Sequence, residues 1–517
     1  MNGSRIGKRI GRHEGCALVL FLLTGAAVPL LAQQPAPPPD PQQQGEQVHT
    51  GVTSGLDADA RLQNLLADHQ FLRIESQLDQ LPLEEAQFYR GILANRENDL
   101  KTSIQLLEPL VEKVTASGDT AHEKLLRKAL AEDYLRIGDF AKAAKAYQTL
   151  ETRLQSKLSP DEQDEIEMPL KLLPLAAANP PMTVEPYDPF VLQVSKNPLG
   201  LTDIPVFVDA RPHSWMLDPT APFNLIARSL AKEAGLKVSE EASTIRTLTG
   251  RPIQVHVTVI PRFTLGGRIT FRNMTAFVFE DQDYAFPHTR YQVQGVLGYP
   301  ALSALGSLTI TADATIEVQP RENRPAADSA QAAPPVQSGQ KAETAPSADL
   351  AAKADPPQQA DPAKKDDRPA QGARFFFDGD QMIVALGTPA APGEGPSASV
   401  QKQGEERMYV IDVGGQQTYL TSRYYSEHSD EFANLKMELF SLPGAPAAPP
   451  QPAYIAETVP LTAGPTTVHV HYVQVLTQPL GSAALDDVYG VLGVDALDQL
   501  KTYTFDYRTM RFSVRPE

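Results

Sequence analysis

Two aspartates stand out for their setting. Asp218 ends the run SWML and Asp412 ends the run MYVI, so each follows a hydrophobic strand and opens a turn. An apolar pair comes next in both places, Leu225-Ile226 and Tyr419-Leu420, followed by a helix-like stretch. Downstream, GVLGYPAL (295–302) and GVLGVDAL (490–497) begin 77 residues after the first aspartate and 78 after the second. LTITADATIEV and YTFDYRTMRFSV then align as closing β-hairpins. One four-letter match means little, because tight turns often need glycine. Two matched anchors in the same order at nearly equal spacing indicate an internal duplication. One carboxylate from each copy, brought face to face, would share a proton, since like charges at close range do not both ionise cheaply. Such a pair offers one group as base and one as acid. It titrates as a unit, so the sequence assigns neither role.

The arrangement resembles the aspartic peptidases of the retropepsin type. There a strand runs into Asp-Thr-Gly-Ala, and a later hydrophobic-hydrophobic-Gly segment packs beneath the aspartate loop. DPTAPFNLIARSLAKEAGL (218–236) is similar to the common bacterial form, whose motif is followed by a short helix ending in Gly-Leu. RFFFDGDQMIVALG (374–387) looks like the first strands of such a domain. The resemblance covers most of the chain after Met182. It implies two β-barrel lobes (182–320 and 373–517) that hydrolyse peptide bonds through Asp218 and Asp412, with no cofactor and no metal. Thr220, Gly414, Gly295, Gly298, Gly490 and Gly493 are the implied supporting residues.

In the family, the motif threonine makes cross-lobe hydrogen bonds and the glycine lets the backbone offer its N–H to the carboxylate. Here the first copy reads Asp218-Pro219-Thr220, with no N–H at the proline and a β-branched residue where the family has none. The second reads Asp412-Val413-Gly414 and keeps the glycine without the hydroxyl. A hydroxyl lock is expected at neither motif position, and Thr220, one residue along, is the only substitute. Three readings stay open: an active endopeptidase, a catalytically degenerate scaffold that holds extended peptides in the interlobe cleft by strand addition, and a lobe-two homodimer pairing two copies of Asp412. As turn residues, the aspartates would merely accept local backbone hydrogen bonds.

Weaker signals surround these. His469 and His471 share one face of an apparent strand, a spacing that suits a metal ligand pair but lacks a third ligand nearby. Gly266-Gly267 reads as a hairpin turn. The stretches around Leu248-Thr249-Gly250 and Ser441–Pro452 fall where flap hairpins would lie.

Before the β-rich part, residues 56–175 carry helical periodicity. LAEDYLRIGDFAKAAKAYQTL (130–150) and RGILANRENDLKTSIQLLEPL (90–110) place small residues, a helix-breaking pair and apolar residues in register, and LLADHQFLRIESQL (65–78) is a degenerate third copy. This resembles tetratricopeptide helical hairpins, whose repeat is about 34 residues, and implies a protein partner on the repeats. The fold class is therefore multidomain α + all-β. Pro/Gln-rich 33–55 and Pro/Ala-rich 321–372 read as disordered linkers.

Residues 1–32 carry Arg5, Lys8, Arg9 and Arg12, then an apolar run from Ala17 to Ala32 interrupted by Gly25 and Pro29. That describes a cleavable export signal, and the run is shorter than the roughly 20 residues a membrane span needs. A periplasmic or secreted location is expected. The single cysteine, Cys16, lies before the apolar run, so the mature chain has neither disulfides nor thiol chemistry. Removing 1–32 moves the net charge from −17 to about −20. A polyanion has little electrostatic affinity for nucleic acid or an anionic membrane surface. A polypeptide substrate or peptide ligand is the expected partner.

Overall fold

The structure is a computed structural model that describes residues 55–246, 251–286, 289–321, 372–379, 381–388, 407–442, 450–481 and 483–515. The export signal, the Pro/Gln segment and nearly all of the Pro/Ala linker lie outside the described residues, as do 247–250 and 443–449 within the expected flap tips.

Helices come first, and local capping sets their ends. Leu83–Arg96 pairs with Leu100–Leu107, and Thr120–Ile137 pairs with Phe140–Leu154. The second helix of each pair starts at an aspartate, Asp99 or Asp139, whose carboxylate accepts the N–H three residues on. Gly138, at φ 82°, ends the preceding helix in the left-handed conformation that L-residues with a Cβ resist. Gly91 lies where a Cβ would overlap the Leu107 side chain, and Ala131 is its buried counterpart in the next pair. A capping box between Ser159 and Glu162 opens the last helix, Pro160–Ala177. It runs past the expected end of the helical region and contains Pro169 and Pro174.

The β-rich part repeats one local pattern twice. Strand Arg211–Leu217 runs parallel to Gly295–Leu297, which lies antiparallel to Leu225–Ala227. Strand Arg407–Ile411 runs parallel to Gly490–Leu492, which lies antiparallel to Tyr419–Leu420. Gly295 and Gly490 are the points of closest approach. A Cβ would overlap the Trp215 ring at the first and lie 2.6 Å from Leu420 Cδ2 at the second. Gly298 and Gly493 press on backbone in the same way, against Phe223 and Gln417. These glycines are required by space, not by unusual torsion angles. Gly266 and Gly267, at φ 56° and 68°, do form the expected turn between strands Pro252–Leu265 and Ile269–Phe279.

The two copies meet through the backbone. Ser307–Ile310 of lobe one pairs antiparallel with Tyr503–Asp506 of lobe two, with Leu308 opposite Phe505 and Thr309 opposite Thr504. The two threonine hydroxyls lie 2.8 Å apart. One 13-stranded sheet thus runs from lobe two into Thr315–Gln319 and Phe190–Gln193 of lobe one. The lobes pair within one chain, and the Lys196–Asp498 ion pair at 3.0 Å spans the same seam.

The helical region packs on both lobes. Phe71 meets Phe376 at 4.9 Å between ring centroids, and Asn98 donates to Tyr299 Oη at 2.7 Å. Arg374 pairs with Glu75 and Glu97, and His69 Nε2 is 3.0 Å from Asp378 Oδ2. Met168, Leu172 and Ala176 of the last helix join the lobe-one core. Arg246, at the end of the lobe-one strand Val238–Arg246, reaches Asp164 of that helix at 2.8 Å.

Candidate active site

Each aspartate is held at the end of its strand by the segment beneath it. Asp218 N–H donates to Leu297 O at 3.1 Å, and Asp412 N–H donates to Leu492 O at 2.9 Å. The return contacts match: Tyr299 N–H to Ala221 O at 2.8 Å, and Val494 N–H to Gly415 O at 2.9 Å. A polar side chain six residues after each aspartate completes the brace. Asn224 Oδ1 accepts from Gly298 N at 3.1 Å, and Thr418 Oγ1 accepts from Gly493 N at 2.9 Å. Sequence reading missed Asn224 and Thr418, although their equal offset from the two aspartates was visible.

In lobe one, Asp218 Oδ1 accepts Thr220 N–H at 3.2 Å and Ala221 N–H at 3.1 Å, and Thr220 Oγ1 lies 3.0 Å from it. In lobe two, the N–H groups of Gly414 and Gly415 serve Asp412. Both carboxyls are half-buried and so remain open to solvent on one side. Burial raises the pKa of Asp218, against the stabilising donors of Thr220 and Ala221. Burial, with the charge of Asp218 second, pushes Asp412 up to about 7, against its two glycine donors. The two groups feel each other as like charges do when they share one half-buried site.

Gly414 measures how near they are. A Cβ there would lie 2.6 Å from Asp218 Oδ2 and 3.5 Å from Asp412 Oδ1. Those two oxygens are therefore no farther apart than the sum of these distances. That bound places the two carboxylates in one site, since each has an oxygen within 3.5 Å of the same point.

Neither motif position carries a hydroxyl, as expected, and Thr220 is the substitute. Thr220 Oγ1 lies 2.7 Å from Ile411 O, the carbonyl just before Asp412, and so ties the first aspartate loop to the end of the second aspartate strand. The reason is the duplication itself: Thr220 occupies the position equivalent to Gly414, the one whose side-chain direction faces the other lobe. The lock comes from one side only, because Val413 and Gly414 have no hydroxyl. Pro219, lacking an N–H, is buried at this turn, where no donor to the carboxylate is needed from it.

Tyr284, missed in the sequence, lies near enough to Asp218 to feel its charge. Tyr284 is pushed up to about 12 by burial, with Arg251 opposing and the charge of Asp218 adding. The Arg251 guanidinium lies 5.5 Å from its ring centroid. Strands Val238–Arg246 and Pro252–Leu265 pair up to Arg246 and Pro252, and Glu438–Phe440 pairs with Gln451–Ala463 up to Phe440 and Gln451, so both expected flap positions are flanked by hairpin strands. His469 and His471 are exposed on strand Thr466–Leu476, and His471 Nδ1 meets Thr458 Oγ1 at 2.9 Å. No cluster of three or more metal-ligating side chains occurs among the described residues.

A family model described as aspartyl protease matches residues 204–301, which contain Asp218, Thr220, Gly295 and Gly298. No curated protein sequence matches the chain. Among solved structures, the chain is similar to a retropepsin-like aspartic protease from Rickettsia conorii, at 19% identity over 26% of this chain and 99% of that one, with a TM-score of 0.19. It is also similar to basic 7S globulin from soybean, at 10% identity over 63% of this chain and 94% of that one, TM-score 0.35. Conglutin gamma, a basic 7S globulin from lupine seeds, matches at 9% identity over 64% and 96%, TM-score 0.33.

Proposed function

We propose that the chain is an exported aspartic endopeptidase whose two carboxylates are Asp218 and Asp412, a reading supported by the aspartyl protease model that matches residues 204–301. The observation that carries the reading is the position of Gly414, whose missing Cβ leaves both carboxylates within 3.5 Å of one point. Between the ordinary carboxylate range and the raised values, the pair holds one proton and one negative charge. The ionised member takes a proton from the bridging water as its oxygen attacks the peptide carbonyl carbon. The protonated member gives its proton to the carbonyl oxygen. Collapse of the resulting diol breaks the C–N bond: the amine leaves with the proton the first carboxylate took, and a diol hydroxyl returns its proton to the second carboxylate, restoring the starting state. Thr220 holds the two loops at working distance, and the segments beneath each aspartate fix its backbone. The substrate lies extended across the interlobe cleft, and the basic, apolar N-terminus supports delivery out of the cytoplasm.

The test is cleavage of an unfolded polypeptide between about pH 3 and pH 7 by the full chain, beside Asp218→Asn and Asp412→Asn. Cleavage lost in both variants supports the dyad. Absence of cleavage throughout, or cleavage unchanged by both substitutions, removes the peptidase reading. In the first case, retained binding of extended peptides would leave the scaffold role in its place.

A further inference from the structure

At the seam between the helical region and lobe two lies a cavity of about 300 Å³ lined by three arginines, Arg73, Arg407 and Arg423, together with Gln70 and Tyr489. It is separate from the aspartate pair, because Arg407 opens the strand Arg407–Ile411 and Asp412 follows its far end. Two of the guanidiniums flank one ring: Arg407 and Arg423 place their central carbons 5.2 and 5.1 Å from the Tyr489 centroid. Like charges so placed repel unless anions compensate them. Glu427 compensates Arg407, accepting from its Nε at 3.2 Å and its Nη2 at 2.7 Å. Arg423 is less well served. It donates to the Asp487 carbonyl at 3.0 Å and reaches Asp68, the other acid in the lining, only at 4.0 Å. The Asp487 carboxylate also feels Arg423, so three acids answer three arginines, and Arg73 is the one left exposed without an ion pair among the described residues.

The geometry points to a second ligand site: this cavity binds a small oxyanion, phosphate or carboxylate, between Arg73 and Gln70 of the helical region and Arg423 of lobe two. A guanidinium presents parallel N–H donors that match two oxygens of either group. Arg407, already committed to Glu427, orients Tyr489 and leaves Arg423 to the ligand. The volume lies at the lower end of small-molecule pockets, which start near roughly 300 Å³. A ligand held from both sides joins the helical region to lobe two, so binding also raises thermal stability.

Titration calorimetry and thermal unfolding of the full chain test this, with inorganic phosphate and with citrate, each balanced by sodium chloride to constant ionic strength. The expected result is saturable binding of at least one probe at about 1 mM or tighter, with a matching rise in Tm. Arg73→Gln and Arg423→Gln each weaken it about tenfold, the scale of losing one charge-assisted pair, while Arg268→Gln, on a distant exposed turn, leaves it unchanged. Response to phosphate alone identifies a phosphate-bearing ligand, and response to citrate alone a carboxylate. Arg73 is at the surface, so Arg73→Gln decides the matter even if Arg423→Gln fails to fold. The site is refuted if neither probe exceeds chloride, or if Arg73→Gln binds like the unsubstituted protein.

Discussion

Replacing Asp412 with asparagine should stabilise the fold at neutral pH and leave it nearly unchanged in acid. Asp412 moves from an ordinary 3.8 to about 7, first through burial and then through the charge of Asp218. A group raised in the fold contributes stability that is fully present below its unfolded value and is lost as pH climbs through the folded one. The window here is therefore between 3.8 and about 7. At about 1.4 kcal/mol per pH unit, that gap is worth on the order of 4 kcal/mol, and solvent reaching the half-buried carboxyl trims it to about 2–3 kcal/mol. The amide keeps an oxygen for the Gly414 and Gly415 donors and carries no charge to repel Asp218. Urea unfolding at about pH 3.5 and pH 7.5 measures the difference. The expected gain of Asp412→Asn over the unsubstituted protein is near zero in acid and about 2–3 kcal/mol at the higher pH. An equal difference at both pH values, or a variant less stable at neutral pH, would refute the reasoning that the two carboxylates repel each other across one half-buried site.

Gly414→Ala should cost about 1–3 kcal/mol by overpacking and abolish cleavage, because its Cβ would sit 2.6 Å from Asp218 Oδ2; unfolding midpoints and the polypeptide assay read both. Thr220→Val keeps the shape but leaves Ile411 O without its donor, a cost of about 1–3 kcal/mol. Urea unfolding measures that cost, and a variant as stable as the unsubstituted protein argues against the tie. Asp378 is disfavoured as a charge by burial, yet the hydrogen bond from His69 and the charge of Arg96 hold it below the ordinary range. Its contribution is present above 3.8 and is lost as pH falls below it. Asp378→Asn is therefore expected to lower stability by about 1–2 kcal/mol at neutral pH, and to speed proteolysis between the helical region and lobe two. The unchanged digestion pattern would exclude that anchoring role.

Much of this architecture was legible because repetition is a one-dimensional property. Two aspartates with GVLG segments at matched distances, and two helix starts marked by Asp99 and Asp139, can be read without knowing where anything lies in space. Capping and turn chemistry act over three or four residues, so Gly138, Ser159 and Gly266-Gly267 fix their own neighbourhoods. The glycines at 295 and 490 were recognisable as anchors, but the reason they are glycines, the Trp215 ring and the Leu420 side chain, lies far away in the chain.

What tertiary structure decided is whatever depends on one lobe meeting the other. The linker sequence permits pairing within or between chains, and the antiparallel match of Ser307–Ile310 with Tyr503–Asp506 selects the first. The lock shows the same division. Read along the chain, Thr220 is a motif threonine displaced by one residue. In the fold, the pseudo-twofold relation turns that position toward Ile411 O, because a side chain's direction is set by the backbone that carries it and its partner by the lobe across the cleft. Composition and spacing determined that two carboxylate loops exist; only the packing of the lobes determined that they face each other.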